Sequence, residues 1–495
     1  MRNTLSSSLV TLLFFFQFTL SAQTIDDALR FSQLIPGGTA RVIGAGTSFG
    51  AMGGDYGVTA INVAGLSDFR RNEITLSLSY NQPNTTSEFE GNQVGSSSDG
   101  SQVIIESMAY ILHTKPYNDK WATSNFSFGF QQYTNYEQVF SYEVESIGSI
   151  AEGWEEVAND IGFRDCPDCG LFDARLAIDA GALLDTEFEG EQFFLSELFF
   201  EDFTDKEQVI ERSGSFNELQ FAWGGKLRSG LSLGIGIGVP LVSFEENKFY
   251  AEEFVGDLPS GFDNLRFNES LTTSGFGINA KVGIGYNIKN KVRLGLSYQS
   301  PTWLRLEDLF FNSLQYNGGV LQESPTGEFT YNLRTPMRAT ASIGTMTNFD
   351  KIKGFLNLDV QYINYGSNSF NLSGEFATQA DIDFQDFLND DIDNSLKDGY
   401  NFTLGGELVY SRYRARAGFT AQVKPFLGEV GSDNIFGAGL GYRGNKFYVD
   451  FAYQFRSIAE GYTPYLSFFD TPERELFLIN ETDLHKLVLT FGIKI

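Results

Sequence analysis

The stretch LSLGIGIGVPL, residues 231–241, alternates apolar side chains with serine, glycine or proline over its whole length. The same period of two returns in residues 276–286 and 446–456. Successive side chains of a strand point to opposite faces, so the pattern predicts β-strands with one apolar face. The composition agrees, because 15% of the residues are aromatic, only 20% are charged and 52 are glycine, which suits strands joined by tight turns.

The lengths of the connections between these strands distinguish a transmembrane barrel from a soluble sandwich. Short and long links alternate along the chain, and a soluble sandwich has no reason to sort them in this way. The long loops are 144–213, 249–265, 307–326, 372–397 and 461–482, together with two more. The fourteen candidate strands are 73–82, 102–114, 121–143, 214–228, 231–248, 266–288, 291–306, 327–348, 353–371, 398–411, 412–424, 433–443, 446–460 and 483–495. The sequence therefore predicts an all-β fold, a 14-stranded antiparallel transmembrane β-barrel with both termini on the short-turn side.

The amino terminus carries the features of a secretory signal peptide. A basic residue, Arg2, precedes an apolar run from Leu9 to Leu20 and a small-residue end at Ser21-Ala22, so residues 1–22 are expected to be removed. Residues 73–495 then form the barrel, placed in the Gram-negative outer membrane with periplasmic termini. The net charge of −28 argues against nucleic acid. Outer-membrane lipid is the expected partner.

Residues 40–66 are crowded with glycine and invite a catalytic interpretation. Residues 46–50 match the serine-hydrolase elbow, which needs a histidine base, but the two histidines, His113 and His485, are both placed far from Ser48. The glycine spacing also lacks the third residue of a dinucleotide loop, and there is no Walker lysine. We therefore expect no catalytic residue and no cofactor. Instead, residues 23–72 are predicted to fold inside the barrel as a hatch, with a short helix near 24–32, because glycine lets a backbone pass close to the wall.

The segment GTARVIGAGTSFGAMGGDYGVTAINVAGL, residues 38–66, resembles the amino-terminal hatch of the FadL family, the long-chain fatty acid transporters and their TodX-like aromatic hydrocarbon relatives. The family's Asn-Pro-Ala-Gly turn is here Asn62-Val63-Ala64-Gly65. The hatch residues carried over are Arg41, Gly44, Gly46, Asn62, Ala64 and Gly65.

The resemblance implies a function. Outer loops capture a hydrophobic small molecule, a lumenal pocket beside the hatch binds it, and a kinked strand releases it sideways into the membrane. The alternative is a FadL-like barrel that serves as a structural or partner subunit of a larger outer-membrane secretion or assembly complex.

Two groups of residues are candidates for ligand binding. Phe194, Leu195, Leu198 and Phe199 have helical spacing in the longest loop, where they form either a capture groove or a cap that buries its own aromatics. Arg293, Arg334 and Arg338 fall on inward positions, where they bind a carboxylate head or balance lumenal acids. Pro240 and Pro336 are places where a ladder bond is missing and the wall can open.

Two further features resemble metal sites. Cys166 and Cys169 in the same loop are expected to form a small disulfide ring, since an exported loop is oxidised and a second cysteine pair for zinc is lacking. The acids of loop 372–397 lack the spacing of a calcium loop. We expect no metal site.

Overall fold

A computed structural model describes residues 24–117, 119–159, 172–188, 191–197, 203–255, 261–372, 378–429, 431–465 and 476–495. The strands are β1 Glu73–Phe89, β2 Asn92–Ser97, β3 Gln102–Thr114, β4 Trp121–Asn135, β5 Gln138–Ile147, β6 Leu183–Phe188, β7 Glu191–Ser196, β8 Phe203–Leu227, β9 Leu231–Val255, β10 Asn264–Ile288, β11 Val292–Gln299, β12 Thr302–Tyr316, β13 Gln322–Glu323, β14 Gly327–Thr335, β15 Arg338–Phe349, β16 Ile352–Asn364, β17 Ser369–Asn371, β18 Asp398–Tyr410, β19 Tyr413–Val423, β20 Ser432–Arg443, β21 Phe447–Tyr462 and β22 Leu478–Lys494.

The helices are α1 Ile25–Arg30, α2 Ala40–Gly44, α3 Ile150–Asn159, α4 Phe172–Ala180 and α5 Gln379–Ser395, with 3-10 turns at Tyr56–Ala60, Val63–Asp68 and Tyr365–Ser367. No helix in the described ranges is long and apolar enough to cross a membrane.

The sheet closes on itself, because β1 pairs with β22 from Glu73↔Lys494 to Glu88↔Ile479. Five of the fourteen wall strands are interrupted, so that β2 continues as β3, β4 as β5, β11 as β12, β13 and β14 as β15, and β16 as β17. The antiparallel 14-stranded barrel predicted from the alternation is therefore confirmed.

Turns of two or three residues join β8 to β9, β10 to β11, β15 to β16, β18 to β19 and β20 to β21 at one end of the barrel. The long connections lie at the opposite end, as predicted, but they are shorter than expected. Strands β8, β9 and β10 each have 25 residues, so residues 203–213 and 249–255 are strand and not loop. Glu207, Glu211 and Glu253 are exposed on the outer face of these segments, which is therefore not uniformly apolar, and the sequence interpretation had required an apolar face.

The two faces of the wall differ as the alternation predicts. On β1 the side chains of Thr75, Ser77 and Ser79 are buried toward the lumen, whereas Ile74 and Leu78 are 45% and 36% exposed on the outer face. An apolar exterior around a polar interior is the arrangement that a barrel needs in lipid.

The pairing register shifts by one residue between β10 and the strand formed by β11 and β12. Lys281 of β10 pairs with Gln299, and Ile278 pairs with Trp303, so two residues of β10 face three residues of the next strand. The break between β14 and β15 at Pro336 lies opposite this bulge. An extra residue exchanges the inward and outward faces of everything beyond it.

This shift corrects the assignment of Arg334. Arg334 and Arg338 are both even-numbered, so unbroken alternation put both in the lumen, but the break at Pro336 lies between them. Arg338 is 7% exposed and faces inward, whereas Arg334 is exposed on the outer face beside Trp303.

The second proline also interrupts a ladder. Between β9 and β10 the pairing runs to Asn279↔Gly238 and resumes at Phe276↔Leu241, and Pro240 lies in the interval. Proline has no amide hydrogen to donate, which accounts for the missing bond. Pro240 keeps its partner on β8, so the wall is weakened on one side only.

Helix α5 covers a free strand edge. On β17, Asn389 accepts from the amide of Phe370 at 2.8 Å and donates to its carbonyl at 3.1 Å. Gln385 accepts from the amide of Leu372 at 3.0 Å. Two side-chain amides thus take the place of a neighbouring strand.

Candidate functional site: the lumen and its amino-terminal segment

The amino-terminal segment, residues 24–72, lies against inward-facing residues of strands all round the barrel, and most of it is buried. Glycine makes the close approach possible. A side chain at Gly46, whose φ is +63°, would meet the backbone of Gly418 at 2.6 Å. A side chain at Gly44 would lie 3.0 Å from the Cα of Gly439. The glycine pattern read from the sequence therefore serves packing between backbones.

The turn that carries the family resemblance is held by its asparagine. Asn62 caps the 3-10 turn by accepting from the amide of Ala64 at 3.1 Å, and it donates to the carbonyl of Gly50 at 2.7 Å. Val63 is 1% exposed and occupies the first position of the turn. Gly65 packs against Val58 and the carbonyl of Met52, where a side chain would not fit.

Ser48, the residue of the elbow match, has a structural role. Its hydroxyl donates to the carbonyl of Asn357 at 2.9 Å and is fully buried. His113 instead contacts Asn125, and His485 contacts Tyr453. The serine is thus bound to the wall and is not paired with a base.

A network of charges fastens the segment near the short-turn end. Arg41 donates to both oxygens of Glu407 at 3.0 and 3.1 Å. Glu407 also accepts from Arg416, which reaches Asp450 at 2.8 Å. The bidentate Arg41–Glu407 pair ties the amino-terminal segment to β18.

Asp68, near the end of the segment, makes a second set of ion pairs with the wall. It binds Lys226 at 2.8 Å and Arg293 at 2.6 Å. Burial raises the pKa of the Asp68 carboxyl, but the charges of Arg293 and Lys226 outweigh it and hold that pKa below its ordinary value. Arg293 is thus bound to the amino-terminal segment.

Arg338 is also bound to the amino-terminal segment. Its guanidinium donates to the carbonyls of Ser32 at 2.5 Å and Leu34 at 3.1 Å. With Arg334 on the outer face, the three arginines do not converge on one point, and their role in ligand binding stays a prediction.

An apolar chamber fills the lumen on the side of β8 to β17. Helix α1, where a short helix was expected, and the residues after it lie in this chamber, with Leu29 5% and Phe31 0% exposed. The wall contributes Phe216, Val242, Phe244, Leu304, Leu306, Tyr331, Leu333, Ile363 and Phe370, and helix α5 contributes Leu388 and Ile392. The chamber has the chemistry of a hydrophobic binding site, and α1 occupies it.

The floor of the chamber is ionic. Lys281 and Glu218 form a buried ion pair, and Lys281 also donates to the hydroxyl of Tyr133 at 2.8 Å. Asn279 donates to the second oxygen of Glu218 at 2.8 Å. These groups thus provide one another's hydrogen bonds and charge partners beneath the apolar residues.

The wall is interrupted beside the segment. The ladder between β3 and β4 runs from Thr114 only as far as Ser107↔Gln131, although β3 continues to Gln102 and β4 to Asn135 on their other sides.

Gly37 covers this interruption from inside. A side chain at Gly37 would collide with the carbonyl oxygen of Gln132 and with Glu106, and Gln131 donates to the Gly37 carbonyl at 3.0 Å. Glu106 is fully buried and binds Lys486 at 2.9 Å. We had not identified this break in the sequence. The Pro36-Gly37-Gly38 run was its available signal, since consecutive glycines mark a close backbone approach.

The aromatic residues of the longest loop are not helical where the structure describes them. Phe194 and Leu195 lie in the β6–β7 hairpin, where Phe194 is 5% and Leu195 39% exposed. Phe194 packs with α3 and α4 in an apolar cluster at the long-loop end of the barrel. Strand geometry puts neighbours on opposite faces, so the expected helical spacing is wrong for these two, and their role in ligand binding stays a prediction. Leu198 and Phe199 lie outside the described residues.

Cys166 and Cys169 also lie outside the described residues, so their disulfide stays a prediction. In the described ranges, no group of three or more histidine, cysteine or acidic residues is placed to hold a metal ion. The acidic loop at 379–395 is helix α5 and was not expected to be helical.

The closed barrel, the enclosed amino-terminal segment and the glycine contacts define a β-barrel fold of the FadL type. The similar solved structures include a Pseudomonas aeruginosa FadL homologue (TM-score 0.53), the P. putida toluene transporter TodX (0.51) and the Ralstonia pickettii toluene transporter TbuX (0.52). Each is 12% identical and covers 93% of this chain and 99% of its own. No family model and no curated protein matches the chain by sequence. The resemblance seen in residues 38–66 is thus confirmed at the level of the fold.

Proposed function

We propose that this barrel lies in the Gram-negative outer membrane, with its termini in the periplasm, and carries hydrophobic small molecules such as a long-chain fatty acid or an aromatic hydrocarbon. The observation that carries the proposal is the apolar chamber in the lumen, which lies next to an interruption of the wall. Each apolar side chain in such a chamber is stabilised by about 1.5–3 kcal/mol relative to water. A ligand that replaces Leu29 and Phe31 there gains by the same effect.

The route begins at the long loops and ends at the wall. A ligand enters the chamber from above, displaces α1, and moves toward the region where the β3–β4 ladder stops at Ser107 and Gln131. Withdrawal of Gly37 opens that region, and the ligand leaves into the membrane without crossing the ionic contacts of Arg41 and Asp68 below. In this mechanism residues 23–72 act as the hatch, and Asn62 keeps its turn in place.

Mass spectrometry of small molecules extracted with the detergent-purified barrel tests the binding step. Bound fatty acid or hydrocarbon supports the proposal, whereas a stable protein partner and an empty chamber favour the role of a partner subunit.

The exit is tested separately by joining the two sides of the break. Gln102 and Asn135 face each other across it, with side-chain atoms 3.4 Å apart. In a chain without its natural cysteines, Gln102→Cys and Asn135→Cys are linked by a short thiol reagent. Uptake of a fluorescent fatty acid into proteoliposomes is expected to fall and to recover when a cleavable link is cut. The matched control pair Asn434→Cys and Ser457→Cys is exposed and spans an intact ladder, and linking it is expected to leave uptake unchanged.

A further inference from the structure

Two arginines stand side by side on the outer face of the barrel. Arg305 pairs across the sheet with Asn332 on one side and with Phe276 on the other, and Arg334 pairs with Trp303. Both arginine side chains are exposed. They share this face only because of the one-residue shift below them, which turns Arg334 away from the lumen.

The arginines lie at the edge of the apolar band. On β10 the outward residues from Tyr286 to Phe276 are apolar or small, and several are about half exposed. Ten residues at about 3.3 Å each, tilted by about 45°, span roughly 23 Å, close to the height of the band. Arg305 is the direct partner of Phe276, so it stands at the upper boundary, where lipid headgroups begin. Trp303 beside Arg334 is a residue type typical of that boundary.

Neither guanidinium is satisfied by the protein. Within the part of the chain that the structure describes, Arg305 and Arg334 have no hydrogen bond or ion pair with another residue. The inward arginines differ, since Arg41, Arg293 and Arg416 all bind carboxylates. The chain carries 63 acidic residues against 35 lysines and arginines, and yet no carboxylate among the described residues binds either of these two cations.

We infer that Arg305 and Arg334 form a binding site for the phosphate of an outer-leaflet lipid headgroup. A guanidinium offers paired donors that match phosphate oxygens, and two of them on one face hold a single phosphate group from two sides. The inference rests on the outer-membrane placement and is independent of any transport activity. It goes beyond a general affinity for lipid by assigning the headgroup chemistry and the residues.

The test uses the full barrel in phosphatidylcholine nanodiscs that contain diphosphoryl lipid A, with native mass spectrometry to count retained lipids. The double variant Arg305→Gln with Arg334→Gln is expected to retain about tenfold less lipid A than the unchanged barrel, since each loses a charged bidentate donor. The matched control is Arg266→Gln, another exposed arginine of β10 that stands ten residues above Phe276. Its lipid retention is expected to be unchanged.

Three outcomes overturn the inference. Retention by the double variant equal to that of the unchanged barrel removes the role of the arginines. Equal loss in Arg266→Gln shows a diffuse charge effect, and displacement of the lipid by millimolar inorganic phosphate shows a site for free phosphate. Folding is checked by the heat-dependent shift of barrels on gels. If the double variant does not fold, the Arg305→Lys and Arg334→Lys single variants keep the charge, remove the fork and give an intermediate loss of lipid.

Discussion

Replacing Arg338 with methionine tests whether this buried cation fastens residues 24–36 or binds the carboxylate of a ligand. Its guanidinium holds the carbonyls of Ser32 and Leu34, just after α1. Hydrogen bonds from a charged donor contribute about 1.5–3 kcal/mol each. Methionine fills much of the same volume but donates nothing, so we expect the opening free energy of residues 24–36 to fall by at least about 3 kcal/mol. That corresponds to exchange faster by about 100-fold, because 1.4 kcal/mol is a factor of ten.

Hydrogen–deuterium exchange of peptides covering residues 24–36 is the assay. The amide of Gln33, bonded to the Leu29 carbonyl at 2.7 Å, is a suitable reporter. The matched control is Arg334→Met, four residues away on the outer face, which is expected to leave the exchange unchanged. Unaltered exchange in Arg338→Met would refute the assignment of Arg338 as a clamp on the segment.

A binding measurement completes the same experiment. If Arg338 acts as a clamp, Arg338→Met binds a neutral apolar probe at least as well as the unchanged barrel, since α1 leaves the chamber more easily. A selective loss of fatty acid binding, with neutral probe binding retained and exchange unchanged, identifies Arg338 as a carboxylate ligand instead.

Val63→Pro is expected to preserve or raise stability by up to about 1 kcal/mol, since the first position of a turn suits proline; a lowered urea midpoint in lipid vesicles would contradict this. Lys281→Met is expected to destabilise the barrel by about 3–5 kcal/mol by leaving Glu218 buried without its cation, and the double change with Glu218→Gln should recover most of that loss in the same titration. Burial raises the pKa of Asp173 to about 6, above its ordinary value, so α4 should hold less firmly to Asn312 as pH rises from about 4 to 6. Asp173→Asn should remove that dependence in exchange measurements, and an unchanged pH profile would exclude Asp173 as its source.

The period of two and the sorting of the links were sufficient to predict the barrel, its strand number and the end at which the long loops lie. Those features depend on residues that repeat locally, and a single sequence displays them. The glycine run was also informative, because Gly44 and Gly46 make contacts that only glycine permits.

The sequence predictions were wrong where a single register break, a helix start or a long-range contact determines the structure. Alternation was carried unbroken through Pro336, which put Arg334 in the lumen. Helix α5 was interpreted as a solvated acidic loop, although Thr378 and Asp381 form a capping box that marks a helix start. The break at Gly37 depends on strands 70 to 95 residues away, and local patterns do not report such contacts.

The extra residue between β11 and β12 shifts the register of part of the sheet by one residue. Paired strands must match their inward and outward faces, so each neighbouring strand has to accommodate the shift. It continues through the β14–β15 break to the junction of β16 and β17. It ends at the second edge of β17, where none of the described strands pairs and Asn389 supplies the bonds instead. The acidic helix is therefore the boundary that lets one part of the wall be out of step with the rest, and a shortened loop in its place would leave that mismatch open to the membrane surface.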